Sequence, residues 1–121
     1  MSKRLLAMTA AVLWTAACGQ SSTPTTTSPS ATGNSTVSIV AGSHTLTTNA
    51  YAPNPITISQ GMSVTWTNND SIAHTSTANG GQWDSGTLAP GASFSKTFSS
   101  AGTFQYHCAI HPNMVGTVTV Q

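Results

Sequence analysis

From about residue 36 to the C-terminus, apolar residues recur at every second position in short runs, and no stretch carries the spacing of a helical stripe. Val37 and Ile39 share a face of the first run, Ile56 and Ile58 of another, and Val64 and Trp66 of a third. Residues 93–98 alternate too, as do Phe104, Tyr106 and Cys108, and finally Val118 and Val120. Turn-forming residues separate the runs at Gln60-Gly61, Asn68-Asn69-Asp70, Ala89-Pro90-Gly91 and Ser100-Ala101-Gly102. Residues 42–46 alternate more weakly and are expected to form a second strand or an edge. The prolines of Tyr51-Ala52-Pro53-Asn54-Pro55 exclude that stretch from a central strand, because proline brings no N–H to the ladder. One face of residues 93–98 reads Phe94, Lys96, Phe98, which places Lys96 near an edge where its ammonium reaches water. About seven or eight short strands in roughly 85 residues indicate an all-β fold, a Greek-key β-sandwich.

The last two runs flank a group of metal-binding side chains. Cys108, His111 and Met114 stand at Cys-x-x-His-x-x-Met spacing between the run ending at Tyr106 and the run beginning at Val115. Taken singly, a buried cysteine is usually a small hydrophobe and a methionine usually fills a gap. With four His and four Met in 121 residues, a given cysteine meets both at these offsets by accident in about 0.1% of cases, so a site is the better account. Thiolate, imidazole and thioether converging from one short loop match the His₂Cys centre with a weak axial Met of a blue-copper protein, which needs one more histidine.

Parity sorts the remaining histidines. Phe104, Tyr106 and Cys108 share the inner face, so His107 points outward and is expected at the surface. His44 has no nearby partner in sequence and is given no role. His74, just after the Asn68-Asn69-Asp70 turn, is the candidate that completes the set. The expected ligands are therefore His74, Cys108, His111 and Met114 around one copper ion that cycles between Cu(I) and Cu(II).

Charge narrows the partners. Only 4% of the chain is charged, as Lys3, Arg4, Asp70, Asp84 and Lys96, against roughly 25% in an ordinary soluble domain. No basic patch exists for nucleic acid, and no strong field exists to steer a charged partner. Redox proteins, as donor and acceptor, are expected to dock weakly near His111, where Ile110 and Pro112 offer an apolar rim. A monomer is expected.

The N-terminus reads as an export signal. Lys3 and Arg4 precede ten residues, 5–14, dominated by apolar side chains and too short to span a membrane. Small residues then lead to Cys18, a pattern that resembles a bacterial lipoprotein signal and implies cleavage before Cys18 and acylation of its thiol. Thr15 stands where that pattern prefers Leu, and ordinary secretion is the alternative. Residues 1–17 are thus expected to be the signal, residues 18–35 a Ser/Thr/Pro-rich disordered tether, and residues 36–121 the folded domain. The protein is expected in the periplasm or at the cell surface, touching a membrane only through a lipid at Cys18. Cys108 is then left free to bind metal.

Residues 51–120 resemble the small bacterial cupredoxins of the plastocyanin and amicyanin type. The likeness is carried by Pro55-Ile56-Thr57-Ile58, Val64-Thr65-Trp66-Thr67-Asn68-Asn69-Asp70, His74-Thr75, Asp84-Ser85-Gly86-Thr87-Leu88-Ala89-Pro90-Gly91 and the stretch from Tyr106 to Val120. The short Cys-x-x-His-x-x-Met loop is similar to that of amicyanin. The resemblance implies that His74, Cys108 and His111 are equatorial ligands, that Met114 is the long axial one, and that the protein shuttles electrons. Thr75 stands where several relatives carry Asn, so the tether that Asn makes between the ligand loops is not implied for this chain.

Other functions fit less well. A multicopper oxidase or nitrite reductase needs further histidines, and no His-x-His occurs among the four here. A Cys-His protease lacks a group to orient its base. The alternative that remains is a copper-binding or copper-delivery lipoprotein that holds the ion without moving electrons, and a metal-free structural β-domain is the least specific one.

Overall fold

The computed structural model describes residues 33–121. The expected signal, Cys18 and the tether up to residue 32 lie outside the described residues. Eight strands follow in order: β1 (Asn34–Ile39), β2 (Tyr51–Ala52), β3 (Ile56–Ile58), β4 (Ser63–Asn68), β5 (Thr77–Ala78), β6 (Ser93–Thr97), β7 (Gly102–His107) and β8 (Val115–Val120). They form two four-stranded sheets, ordered β2-β1-β4-β6 and β3-β8-β7-β5. Each sheet is mixed: β1 runs parallel to β4 and β3 parallel to β8, and the other pairs are antiparallel. This is the all-β sandwich that the alternation demands. Strand β1 begins two residues before the expected domain boundary at 36, with Asn34 opposite Ser63 and Ser35 opposite Val64.

Strand β4 shows how the sequence dictates its own burial. Val64 and Trp66 face inward and are fully buried, while Ser63, Thr65 and Thr67 face outward. Those hydroxyls pair with β6 across the outer face, Ser63 Oγ with Thr97 Oγ1 at 2.7 Å and Thr67 Oγ1 with Ser93 Oγ at 2.9 Å. Hydroxyl pairs thus supply the surface polarity that charged residues supply elsewhere. Strand β6 is an edge, and its half-buried Lys96 keeps a cation where a neighbouring chain would otherwise add a strand.

Inside, Trp66 stacks on Trp83 at 5.5 Å between ring centroids and meets Tyr106 edge-on at 5.4 Å. Tyr51 meets Tyr106 edge-on at 4.7 Å. Gly116 lies opposite Tyr106 in the β7–β8 ladder, and the phenol occupies the space where any side chain at 116 would begin. Phe104, four residues before Cys108, has its aromatic contacts with Phe98 and Trp83.

One expectation fails. Residues 42–46 form neither strand nor edge but a 3₁₀ turn at Ser43–Thr45, entered through Gly42 in the left-handed conformation with φ of 75°. Only glycine takes that conformation at no steric cost. The turn aims the Gly42 N–H at Asp70.

Candidate metal centre

The site lies where two connections meet at one end of the sandwich: the stretch between β4 and β5, and the loop between β7 and β8. Asn68, at the end of β4, is fully buried and organises the first. Its side-chain N–H₂ donates to Ile72 O at 2.8 Å and to Leu88 O at 2.9 Å, and its side-chain oxygen accepts from Asp70 N at 2.9 Å. His74 then bridges to Leu88, with backbone bonds of 3.1 and 2.8 Å. The second connection is closed by its own backbone, Cys108 N–H donating to Met114 O at 3.1 Å and Met114 N–H to His111 O at 2.9 Å.

These two frames bring three of the four expected ligand side chains to one point. The donor atoms of His74, Cys108 and His111 lie within 4.8 Å of one another. Cys108 Sγ is 3.8 Å from His74 Nδ1 and 3.8 Å from His111 Nδ1. Metal–nitrogen and metal–sulfur bonds of about 2.1 and 2.3 Å, opened to a trigonal angle, span an edge of about 3.8 Å. The observed separations therefore suit ligands sharing one ion. His74, Cys108 and Met114 are fully buried, whereas His111 is half-buried. Met114 sits at the closing end of the same loop.

The surroundings of His74 were not legible in the sequence. Its Nε2 lies 2.7 Å from Asp70 Oδ2, so that nitrogen carries the proton and Nδ1 keeps its lone pair for the site. Ser43 Oγ sits 3.0 Å from the same Nε2 and donates to Asp70 Oδ2 at 3.3 Å. Gly42 and Ser71 give their backbone N–H groups to Asp70 Oδ1 at 3.0 and 2.8 Å. The Gly42 N–H above all, then the bond to His74, holds the Asp70 carboxyl well below the usual carboxylate range. An acid four residues before a candidate histidine, in a chain with only two acids, was the available signal.

Thr75 provides a tether that its departure from Asn had left unexpected. Its N–H donates to Cys108 Sγ at 3.3 Å, and its hydroxyl oxygen accepts the Ala109 N–H at 2.8 Å. The Tyr51 hydroxyl donates to Thr75 O at 2.7 Å. Both ligand loops are thus held by one residue. His107 faces outward, as parity requires, with its ring Nδ1 2.6 Å from Asn79 Oδ1. His44 lies beside the site: its ring centroid is 6.0 Å from that of His111 and its Nδ1 is 3.9 Å from Asp70 Oδ2.

Comparison with known proteins adds a family. A model described as a cupredoxin-like domain matches residues 5–120. Plastocyanin from Scenedesmus fuscus is 36% identical over 84 residues, which are 59% of this chain and 86% of that protein. Among solved structures, a novel purple cupredoxin from Nitrosopumilus maritimus superposes with a TM-score of 0.67 at 33% identity, covering 72% of this chain and 99% of that one. A Cu(I)-form structure of an amicyanin mutant gives 0.61 at 27% identity, covering 74% of this chain and 83% of its own.

Proposed function

The chain belongs to the cupredoxin-like family, and from that premise we propose that it is a type 1 copper protein carrying single electrons between redox proteins outside the cytoplasm. Its cofactor is one copper ion. The observation that carries the reading is the convergence of His74, Cys108 and His111 at separations suited to a single trigonal ion. In this proposal His74 Nδ1, Cys108 Sγ and His111 Nδ1 would hold the copper, and the Met114 thioether would add a weaker soft donor. A carrier rather than an enzyme is the better match, because burial of His74, Cys108 and Met114 leaves little room for a substrate.

Copper bound there supplies a one-electron couple, thiolate and thioether suiting Cu(I) and imidazole suiting Cu(II). The chain's own residues supply the frame. Asp70 holds the Nε2 proton of His74 and fixes the ring's orientation. The Thr75 N–H stabilises negative charge on the Cys108 sulfur. The backbone bonds between Cys108, His111 and Met114 keep the loop from relaxing when the electron moves.

The exit is at His111. Two large apolar side chains are exposed among the described residues, Ile110 at 47% and Ile72 at 37%. Each lies within two residues of a candidate ligand. This rim, with Pro112, is where donor and acceptor are proposed to dock, the protein acting as a monomer. Export, with acylation of Cys18 as its anchor, completes the proposal. A delivery protein needs an ion that leaves easily, and the enclosed sulfur and His74 argue against that.

Copper titration tests the reading. One equivalent of Cu(II) is expected to raise an intense thiolate-to-copper charge-transfer band that bleaches on reduction and returns on oxidation. A colourless copper complex would contradict it.

A further inference from the structure

Only two acidic residues occur in the chain, and the second, Asp84, has no part in the site described so far. It is exposed, and its Oδ1 accepts the Gly86 N–H at 2.9 Å, which is the ordinary arrangement of a turn. The same oxygen also accepts the Thr77 hydroxyl at 3.2 Å. Thr77 Oγ1 lies 2.8 Å from Thr75 Oγ1, which takes the Ala109 N–H at 2.8 Å. A chain of hydrogen bonds therefore runs from a surface carboxylate to the residue after Cys108.

The direction of that chain is settled by counting hydrogens. An ionised carboxylate only accepts, so the single hydroxyl hydrogen of Thr77 goes to Asp84. Thr77 must then accept from Thr75, whose own hydrogen is committed outward. The Thr75 oxygen is left with its lone pairs toward Ala109 N–H. Bonds aligned in this way polarise one another, and the anion at the end strengthens the whole series. Thr75 is the residue whose backbone N–H also meets the Cys108 sulfur.

We propose that Asp84 is a positioning residue for the metal loop, acting through Thr77 and Thr75 to fix the Ala109 amide and, with it, the Cys108 sulfur. The proposal rests on the copper-carrier reading for its consequence but not for its geometry. Removing the relay leaves the Thr75 hydroxyl hydrogen without its acceptor, so the hydroxyl turns freely and its lone pairs no longer have to face the Ala109 N–H. The loop then gains a degree of freedom on the sulfur side, and the two oxidation states can differ more in shape.

Two variants separate connection from charge. Thr77→Val removes the link while keeping the branched shape that suits a strand. Asp84→Asn keeps an oxygen able to accept from Thr77 and Gly86 but removes the charge. In the metal-free protein, amide exchange at Ala109 is expected to rise on the order of tenfold in Thr77→Val, as loss of one hydrogen bond gives, and less in Asp84→Asn. In the copper-loaded protein, Thr77→Val is expected to shift the charge-transfer band and the copper hyperfine splitting and to slow electron self-exchange. Asp84→Asn is expected to raise the potential. Thr77→Ser, which restores the hydroxyl, should restore every readout. Unchanged Ala109 exchange and an unchanged copper signature, with only a lower melting temperature, would overturn the proposal and leave Asp84 as a turn residue. A wild-type protein that takes up no copper would defeat the carrier reading alone. Ala109 exchange would then decide, faster exchange in Thr77→Val supporting the relay and unchanged exchange overturning it.

Discussion

The two imidazoles of the candidate centre come from opposite kinds of surroundings. His74 is fully buried, its far nitrogen held by a carboxylate that itself accepts two backbone N–H groups and a hydroxyl. His111 is half-buried on a loop, its ring carries no carboxylate partner like that of His74, and Ile110 is exposed beside it. One ring is part of the scaffold and the other is part of the surface. A carrier needs both, an anchor that keeps the ion's geometry through both oxidation states and an edge that a partner can reach.

The contrast is broken most directly by deleting each ring. His74→Gly should lose colour and also destabilise the metal-free protein by about 2–3 kcal/mol, because the Asp70 carboxylate loses a charge-assisted hydrogen bond. His111→Gly should keep near-normal stability, lose colour, and regain it when free imidazole is added, since the gap opens to solvent. Denaturant melts and absorbance titrations read both, and rescue of His74→Gly by imidazole would erase the distinction.

Asp70→Asn sharpens the anchor side. The amide oxygen can still accept from His74 Nε2, but the negative charge that favours Cu(II) is gone. The reduction potential should rise and copper affinity fall by about 10–100-fold, as seen when partners of metal-bound histidines are replaced. Because the Asp70 carboxyl is held low in the folded state, its contribution to stability is full at neutral pH. It declines as pH falls below the ordinary aspartate value of about 4. Melts of the metal-free protein at pH 5 and pH 3 should differ less in Asp70→Asn than in wild type.

The tyrosines offer a smaller comparison on the same scaffold. The Tyr51 hydroxyl donates to Thr75 O, whereas the Tyr106 hydroxyl is buried with no hydrogen-bond partner among the described residues. Tyr51→Phe should therefore cost about 1 kcal/mol, and Tyr106→Phe should be neutral or stabilising. Burial pushes both phenols up, so the folded protein keeps protons that the unfolded chain releases. Stability should fall as pH rises above about 10, and the double Phe variant should flatten that fall. The smallest expected effect is ionic. With Asp84 and Lys96 the exposed or half-buried charges of the described residues, partner association near His111 should change by less than about threefold across ordinary salt concentrations, measured by stopped flow.

The sequence was most informative where structure is local. Strands β4, β7 and β8 follow alternation, and Cys108, His111 and Met114 share one short loop, so spacing alone brings them together. No local spacing reaches His74, whose approach to Cys108 spans 34 positions; elimination and the family likeness at His74-Thr75 were the routes to it. Residues 42–46 misled because a weak period cannot register that Gly42 and Ser43 turn toward Asp70, 28 and 27 positions away respectively. Thr75 looked like a loss when judged by residue type. Its hydroxyl nevertheless reaches the Ala109 N–H, a contact that depends on how two loops are set side by side.

X-ray absorption at the copper edge of the loaded protein, read in both oxidation states, probes the shared ion most directly. One short sulfur and two imidazole nitrogens are expected around each copper, with distances that change little on reduction. Copper surrounded by oxygen and nitrogen alone, or a sulfur shell that survives in Cys108→Ser, would contradict this coordination.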